Sequence, residues 1–188
     1  MHWSYCQTAD FSDESLQQLY AQLSPSRREY MMRLRQAEDR TRSLAAELLV
    51  YRLLQERYAI TGAQLHRKPN GQPYLTGCDL QVSISHCDDL VACVLSRNPV
   101  GIDMERIRPV TQGLCRRVCV DEELAYLQIA QEEDLQNPEV LRRFFEIWTA
   151  KEAYFKKQGT GITDLKSVNI LPLRRQTYTF GDYILQIL

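Results

Sequence analysis

An α+β fold is predicted for this chain of 188 residues, on three observations. Two long stretches, about 26–59 and 138–158, repeat apolar residues with helical spacing. Short strand-like runs follow each of them, bounded by Gly, Pro and Asn turn residues. The order helix, strands, helix, strands then reads as a crude duplication of one α+β unit, without a visible residue-level repeat.

The elements follow in order. Residues 1–11 hold a first strand. Residues 12–23 form a short helix, with Ser12 as N-cap and acidic residues in its first turn. Ser24-Pro25 restarts the chain, and Pro25 suits a first helical position. The stretch 26–59 is helical, in two pieces meeting near 36–39. Its second part places Leu44, Leu48, Leu49, Tyr51 and Leu53 or Leu54 on an apolar face, and Thr61-Gly62 ends it. Pro69, Asn70-Gly71, Pro73 and Gly77 make 66–79 a region of loops and turns. Strands are expected at 80–86, 90–96 and 99–105, with Arg106 to Pro109 ending the last. Helices are expected at 121–136 and at 138–158, the latter capped by Asn137 with Pro138 at its first position and closed by Gly159-Thr160-Gly161. The tail holds strand candidates near 166–172, 176–180 and 182–188.

Composition narrows the function. Apolar content of 44% and charged content of 25% are ordinary for a globular protein. A net charge of −1 argues against a broad nucleic-acid surface, although Arg27-Arg28, Arg33/Arg35 and Arg40/Arg42 form a local basic cluster. The six cysteines include no Cys-x-x-Cys and no histidine at ligand spacing, so core or surface thiols are expected. Met1-His2-Trp3-Ser4-Tyr5 carries no basic apolar signal segment. No apolar run approaches a membrane span. A reducing cytoplasm is the expected setting.

Two acidic patterns carry the chemistry. In the strand Gly101-Ile102-Asp103-Met104-Glu105, residues two apart leave the same face, so Asp103 and Glu105 point together while Met104 points to the core. In the helix, residues four apart share a stripe, which aligns Trp148, Glu152 and Lys156. Three carboxylates and a lysine suit a hard cation and a phosphate, because magnesium takes a few carboxylates together with phosphate oxygens and water.

These segments resemble those of 4′-phosphopantetheinyl transferases of the larger, surfactin-synthetase-activating type. The family's Gly-Ile-Asp-x-Glu stands at 101–105, and its Trp-x-x-Lys-Glu-x-x-x-Lys stands at Trp148, Lys151, Glu152 and Lys156. Upstream, Lys68-Pro69 with Gly71 and Pro73-Tyr74, and Ser83-Ile84-Ser85-His86, also fit. Ser24-Pro25-Ser26-Arg27-Arg28-Glu29 and Glu38-Asp39-Arg40-Thr41-Arg42-Ser43 fit more loosely. The set occurs in the family's order over roughly 20–165.

The resemblance implies a pseudodimer of two similar α/β halves, 1–100 and 101–188. Each half would be a helix packed on a small, mostly antiparallel sheet, with the active site between them. It implies transfer of the phosphopantetheine arm of coenzyme A to a serine of an apo acyl or peptidyl carrier protein by a monomer. Asp103, Glu105 and Glu152 would hold Mg2+, and Glu152 would also take the serine proton. Lys156 and His86 would contact the phosphates, with Ser85 beside them. Lys68, Arg27, Arg42 and Ser43 would hold the nucleotide, and Lys151 would play a supporting part. A second basic position of the family's helix is Tyr30 here. Family members usually carry a further strand beyond Leu185-Gln186-Ile187-Leu188, so in the second sheet either a closing edge strand is missing or a shorter edge suffices. The competing readings are a non-catalytic carrier-protein or nucleotide-binding module on the same scaffold, and a magnesium-dependent hydrolase of coenzyme A. The basic run Arg106, Arg108, Arg116 and Arg117 is a candidate docking surface for an acidic carrier protein.

Overall fold

A computed structural model describes residues 1–162 and 164–188. It divides into two compact units, Met1–Val100 and Gly101–Leu188.

In the first unit, strand β1 (His2–Gln7) precedes helices α1 (Asp13–Gln22), α2 (Pro25–Arg33) and α3 (Ala37–Tyr58). Side-chain oxygens start the two short helices: Ser12 accepts from the Ser15 N–H and Ser24 from the Arg27 N–H. The break in the long helical stretch falls at 34–36. Leu34 there is extended, and α3 begins at Ala37 without a side-chain cap. A hairpin follows, β2 (Gln64–Arg67) and β3 (Pro73–Thr76), in the segment expected to be all turn. Its turn closes through Lys68 N–H to Gln72 O at 2.9 Å and Gly71 N–H to Lys68 O at 2.8 Å. Gly71 adopts φ 85° there, a backbone state with little steric cost only for glycine. A second hairpin, β4 (Gln81–Cys87) and β5 (Leu90–Ser96), completes the unit.

The sheet order is β1-β5-β4, all antiparallel. The register puts Cys6, Val91, Cys93, Leu95, Val82 and Ile84 on one face. These residues form one apolar core with Ala45, Ala46, Leu49, Val50 and Leu53 of α3. Alanines at 45 and 46 leave room for the helix to approach a sheet of β-branched residues.

The second unit repeats that plan. Strand β6 (Ile102–Arg106) is followed by short helices α4 (Gln112–Val118) and α5 (Asp121–Leu127) and the long helix α6 (Pro138–Gln158). The hairpin β7 (Gln176–Phe180) and β8 (Tyr183–Ile187) ends the unit. The order β6-β8-β7 is antiparallel throughout. In both sheets the last strand lies in the middle, between its hairpin partner and the strand that opens the unit. The two halves are thus similar, each a long helix against a three-stranded sheet. The second sheet has as many strands as the first.

Helix α4 occupies the arginine-rich segment after β6, for which no element was expected; Thr111 caps it by accepting from the Leu114 N–H. Two expectations in this half are corrected. The helix expected over 121–136 stops at Leu127, where Gln128 turns left-handed (φ 57°), and a single 3-10 turn, Glu132–Gln136, follows. The strand expected at 166–172 is instead a 3-10 turn at Leu165–Ser167 followed by irregular chain. Side chains take the hydrogen bonds a strand partner would: Asp164 accepts from Lys166 N–H, Asn169 from Leu171 N–H and Glu123 from Ile170 N–H. Such local bonds compete with sheet formation.

All six cysteines are free thiols, and Cys6, Cys93, Cys115 and Cys119 are buried. Burial is the main reason the Cys6 and Cys115 thiols are pushed up to about 11 and Cys119 to about 12. Such thiols behave as small apolar side chains. Among the described residues no helix is long and apolar enough to cross a membrane.

Candidate active site

In the second unit the site begins with a glycine. A Cβ on Gly101 would fall 1.8 Å from the Ala153 carbonyl oxygen and 2.8 Å from the Lys157 amide nitrogen. Only a bare Cα lets the start of β6 lie against the backbone of α6. The position is pinned from the other side by paired bonds between Gly101 and Leu188, 3.1 and 3.0 Å. Gly101→Ala should therefore push β6 off α6 and cost at least about 1–3 kcal/mol, the usual penalty for overpacking. Denaturant unfolding checks this; an unchanged midpoint would mean that the helix yields freely.

Register then aims the acids. Asp103 pairs with Gln186 and Glu105 with Ile184, and Ile184 belongs to the core that includes Phe144, Phe145, Ile147 and Ala150 of α6. Asp103 and Glu105 thus share the sheet face that meets α6. Lys156 Nζ donates to Asp103 Oδ1 at 2.5 Å, with the aspartate side chain 3% exposed and the lysine 27%. The Glu152 carboxyl is pushed up to about 7, first by burial and then by the charge of Asp103, with Glu105 adding to the effect. The charge of Lys156 pulls the other way. Strand and helix thus bring Asp103, Glu105, Glu152 and Lys156 into one electrostatic cluster. Glu105 also accepts from Arg108 at 2.8 Å.

The donor set suits a hard cation: oxygen ligands only, with carboxylates that repel one another. Among the described residues, however, no three acidic, histidine or cysteine side chains are gathered closely enough to form a ready coordination shell. The Lys156 ammonium pairs with Asp103 here.

Lys151 is on a different stripe of α6 and has a different job. It is fully buried, and its Nζ donates to the carbonyls of Val118 (2.9 Å), Leu165 (2.7 Å) and Val168 (2.9 Å). Its charge is paired with Glu123 at 2.6 Å, itself fully buried. Glu123 also accepts from the Val120 and Ile170 amides, both at 2.9 Å. One ion pair thereby ties the end of α4, the start of α5 and the 165–170 segment to α6. Sequence reasoning missed Glu123; its place three residues after Val120, at the N3 position of a helix start, was the available signal.

In the first unit, Arg27 is not a surface cation. It is 3% exposed. Its Nε donates to Glu47 at 2.9 Å and its Nη2 to the Ser43 hydroxyl at 2.8 Å. Tyr51 hydroxyl donates to Glu47 at 2.8 Å and accepts from the Leu65 N–H at 3.1 Å. Glu47 and Tyr51 were missed as partners, although a glutamate within the apolar stripe of α3 signals a buried acid. Arg42 donates to Asp39 at 2.6 Å and to the Asp88 carbonyl at 3.2 Å. That second bond ties the start of α3 to the turn following His86. Ser85 is buried on β4 and His86 is exposed at its end. Lys68 Nζ donates to Gln72 at 2.8 Å in the hairpin turn. A cavity of about 340 Å³ beside Arg27 is lined by Ser24, Glu47, Tyr51, Gln64 and His66 among others.

Two like α+β halves, the second carrying an acid–lysine cluster between strand and helix, define the class of protein. Family models match both halves. One for the 4′-phosphopantetheinyl transferase superfamily covers residues 99–186, and one for the N-terminal part of 4′-phosphopantetheinyl transferases covers 10–98. The chain belongs to the 4′-phosphopantetheinyl transferase superfamily. It is 33% identical over 146 residues to 4′-phosphopantetheinyl transferase gsp of Aneurinibacillus migulanus, covering 77% of this chain and 59% of that one. It is 26% identical over 155 residues to 4′-phosphopantetheinyl transferase Sfp of Bacillus subtilis, covering 81% and 67%. It is 33% identical over 147 residues to a putative 4′-phosphopantetheinyl transferase of Haemophilus influenzae, covering 73% and 58%. The chain therefore spans about three fifths to two thirds of the length of these relatives.

Proposed function

We propose that this protein transfers the 4′-phosphopantetheine arm of coenzyme A to a serine hydroxyl of an apo carrier protein, as a monomer. The observation that carries this reading is the Asp103–Lys156 pair beside a carboxyl, Glu152, lifted first by burial and then by its acidic neighbours. Buried like charges are costly to a fold, and a site handling a cation and a pyrophosphate gives them a use.

Asp103, Glu105 and Glu152 would hold Mg2+, which when bound would neutralise pyrophosphate oxygens. Lys156, partly exposed, contacts the phosphate of the transferred arm as a point charge. The serine Oγ attacks the phosphorus next to the pantetheine. A Glu152 carboxylate oxygen accepts the serine proton, directly or through water. The P–O bond to the nucleotide breaks and its electron pair leaves with 3′,5′-adenosine bisphosphate. The acceptor supplies the nucleophile, so the protein's task is positioning and charge compensation. His86 and Ser85 serve the pyrophosphate, and Arg42, Ser43, Lys68 and Arg27 the nucleotide.

Incubation with coenzyme A, magnesium and several apo carrier proteins, read by intact mass, tests this. The expected result is the mass of one phosphopantetheine added to a carrier. Release of the arm into solvent without a carrier would mark a hydrolase instead.

The carrier is expected to dock at α4. Arg106 and Arg108 are paired with Asp182 and Glu105. Arg116 and Arg117 are exposed on the last turn of α4. They make no ion pair among the described residues. Reversing both to Glu should raise the KM for an acidic carrier several-fold at low salt and leave the KM for coenzyme A unchanged, because such steering is screened by salt. Unaltered carrier kinetics at low ionic strength would move docking to the segment from Glu122 to Gln131.

A further inference from the structure

In the first unit two neighbouring guanidinium groups, the buried Arg27 and the half-buried Arg67, have one ion-paired carboxylate between them among the described residues. Two guanidinium groups lie over the one ring of Tyr30: that of Arg27 at 4.9 Å from the centroid and that of Arg67 at 5.0 Å. Glu47 pairs with Arg27. Among the described residues, no carboxylate pairs with Arg67, whose Nη1 donates only to the Gly71 carbonyl at 2.9 Å. Each guanidinium also keeps a buried N–H without a hydrogen-bond partner among the described residues: Arg27 Nη1 and Arg67 Nε. A buried unfilled donor on a charged group is expensive. Two of them on neighbouring cations point to an anion that is meant to fill them. Burial lowers the basicity of Arg67 and the nearby charge of Arg27 adds to this, against Tyr30 and Glu47; an anion would relieve both effects.

The anion's class follows from the donors. Guanidinium forks match the oxygens of phosphate in geometry as well as charge, and a terminal phosphate monoester carries enough charge to balance the excess. The β2–β3 hairpin delivers Arg67. It is the last residue of β2, directly before Lys68, and its side chain returns to Tyr30 on α2. The sequence has a tyrosine at position 30 where the resemblance expects a second basic residue. The tyrosine ring serves here as the platform for a cation from elsewhere.

We propose that Arg67, stacked with Arg27 on Tyr30, is a second guanidinium for the terminal phosphate of the nucleotide ligand, taking the part of the basic side chain that position 30 lacks. This rests on the reading of the protein as a user of coenzyme A, whose 3′-phosphate is such a group. Glu47 and Tyr51 are positioning residues in this arrangement. They fix the Nε edge of Arg27 and leave Nη1 for the ligand.

The test is titration calorimetry of the whole protein with 3′,5′-adenosine bisphosphate and with 5′-adenosine monophosphate, alongside KM for coenzyme A and for 3′-dephospho-coenzyme A. The wild type should favour the 3′-phosphorylated member of each pair. Arg67→Ala should cut that preference at least about tenfold, the size of one charge-assisted hydrogen bond. Tyr30→Lys placed in the Arg67→Ala protein should restore much of it, which a merely structural role for Arg67 would not allow. Should Arg67→Ala melt early, Arg67→Gln carries the same comparison. If the wild type discriminates and both Arg67 variants keep its full preference, or lose affinity equally for both members, the proposal for Arg67 is overturned while the coenzyme A reading stands. If the wild type prefers neither member, the assignment of the first-unit cations to a 3′-phosphate falls with it.

Discussion

Asp103→Ala and Glu152→Ala should each abolish transfer while leaving the protein folded. Asp103 is nearly buried and holds Lys156 at 2.5 Å, and Glu152 senses the charge of both. Either change removes one of the carboxylates proposed to hold the cation. Loss of such charge stabilisation is worth several kcal/mol, or about a hundredfold to a thousandfold and more in rate. The fold should survive, because Lys156 is partly exposed and its charge can turn to water once Asp103 is gone. Glu105→Ala should be milder, since magnesium keeps waters that can fill one vacated position. Intact-mass rates at moderate magnesium, with circular dichroism as the check on folding, decide this. Near-normal turnover of either severe variant would end the assignment of these acids.

Lys151→Ala should act on stability instead. The change strips the donor from three carbonyls and leaves Glu123 charged and fully buried. Breaking a buried ion pair from one side costs about 3–5 kcal/mol. For a chain of this size, that lowers the melting temperature by roughly 10 °C. Pairing Lys151→Met with Glu123→Gln should recover part of the loss, because no uncompensated charge then remains in the core. A single variant that unfolds within about 1 kcal/mol of wild type would show that water or a neighbouring group satisfies Glu123. The contrast between adjacent residues is informative. Lys151 faces inward and carries structure, whereas Glu152 and Lys156 share the stripe that meets β6.

Much of the fold was legible in local signals. Ser12, Ser24-Pro25 and Asn137-Pro138 mark helix starts because a side-chain oxygen and a fixed φ suit those positions, and the structure begins α1, α2 and α6 there. The apolar run at 90–96 and the tail runs at 176–180 and 183–187 are strands as the pattern demanded. The illegible elements depend on distant partners. Helix α4 has Gly113, Arg116 and Arg117 among its seven residues, and its burial comes from Cys115 and Val118, with Leu114 beside them, reaching the α6 core. The 166–172 run looks like a strand, but Glu123 claims the Ile170 amide from 47 residues away.

At the candidate site, period-two and period-four spacing put Asp103 with Glu105 and Glu152 with Lys156, since side-chain direction along a strand or helix is local geometry. The resemblance named their order along the chain. Only the tertiary structure decided that β6 lies against α6 closely enough for Lys156 to reach Asp103, because that depends on a glycine meeting a backbone 52 residues later. It alone decided that Arg27 bonds Glu47 and Ser43 through Nε and Nη2, and that Arg67 rather than another residue of α2 joins it on Tyr30. Sequence spacing fixes which way a side chain leaves its own element. Which charge it meets, and how much water is left around the pair, are set by how the elements pack.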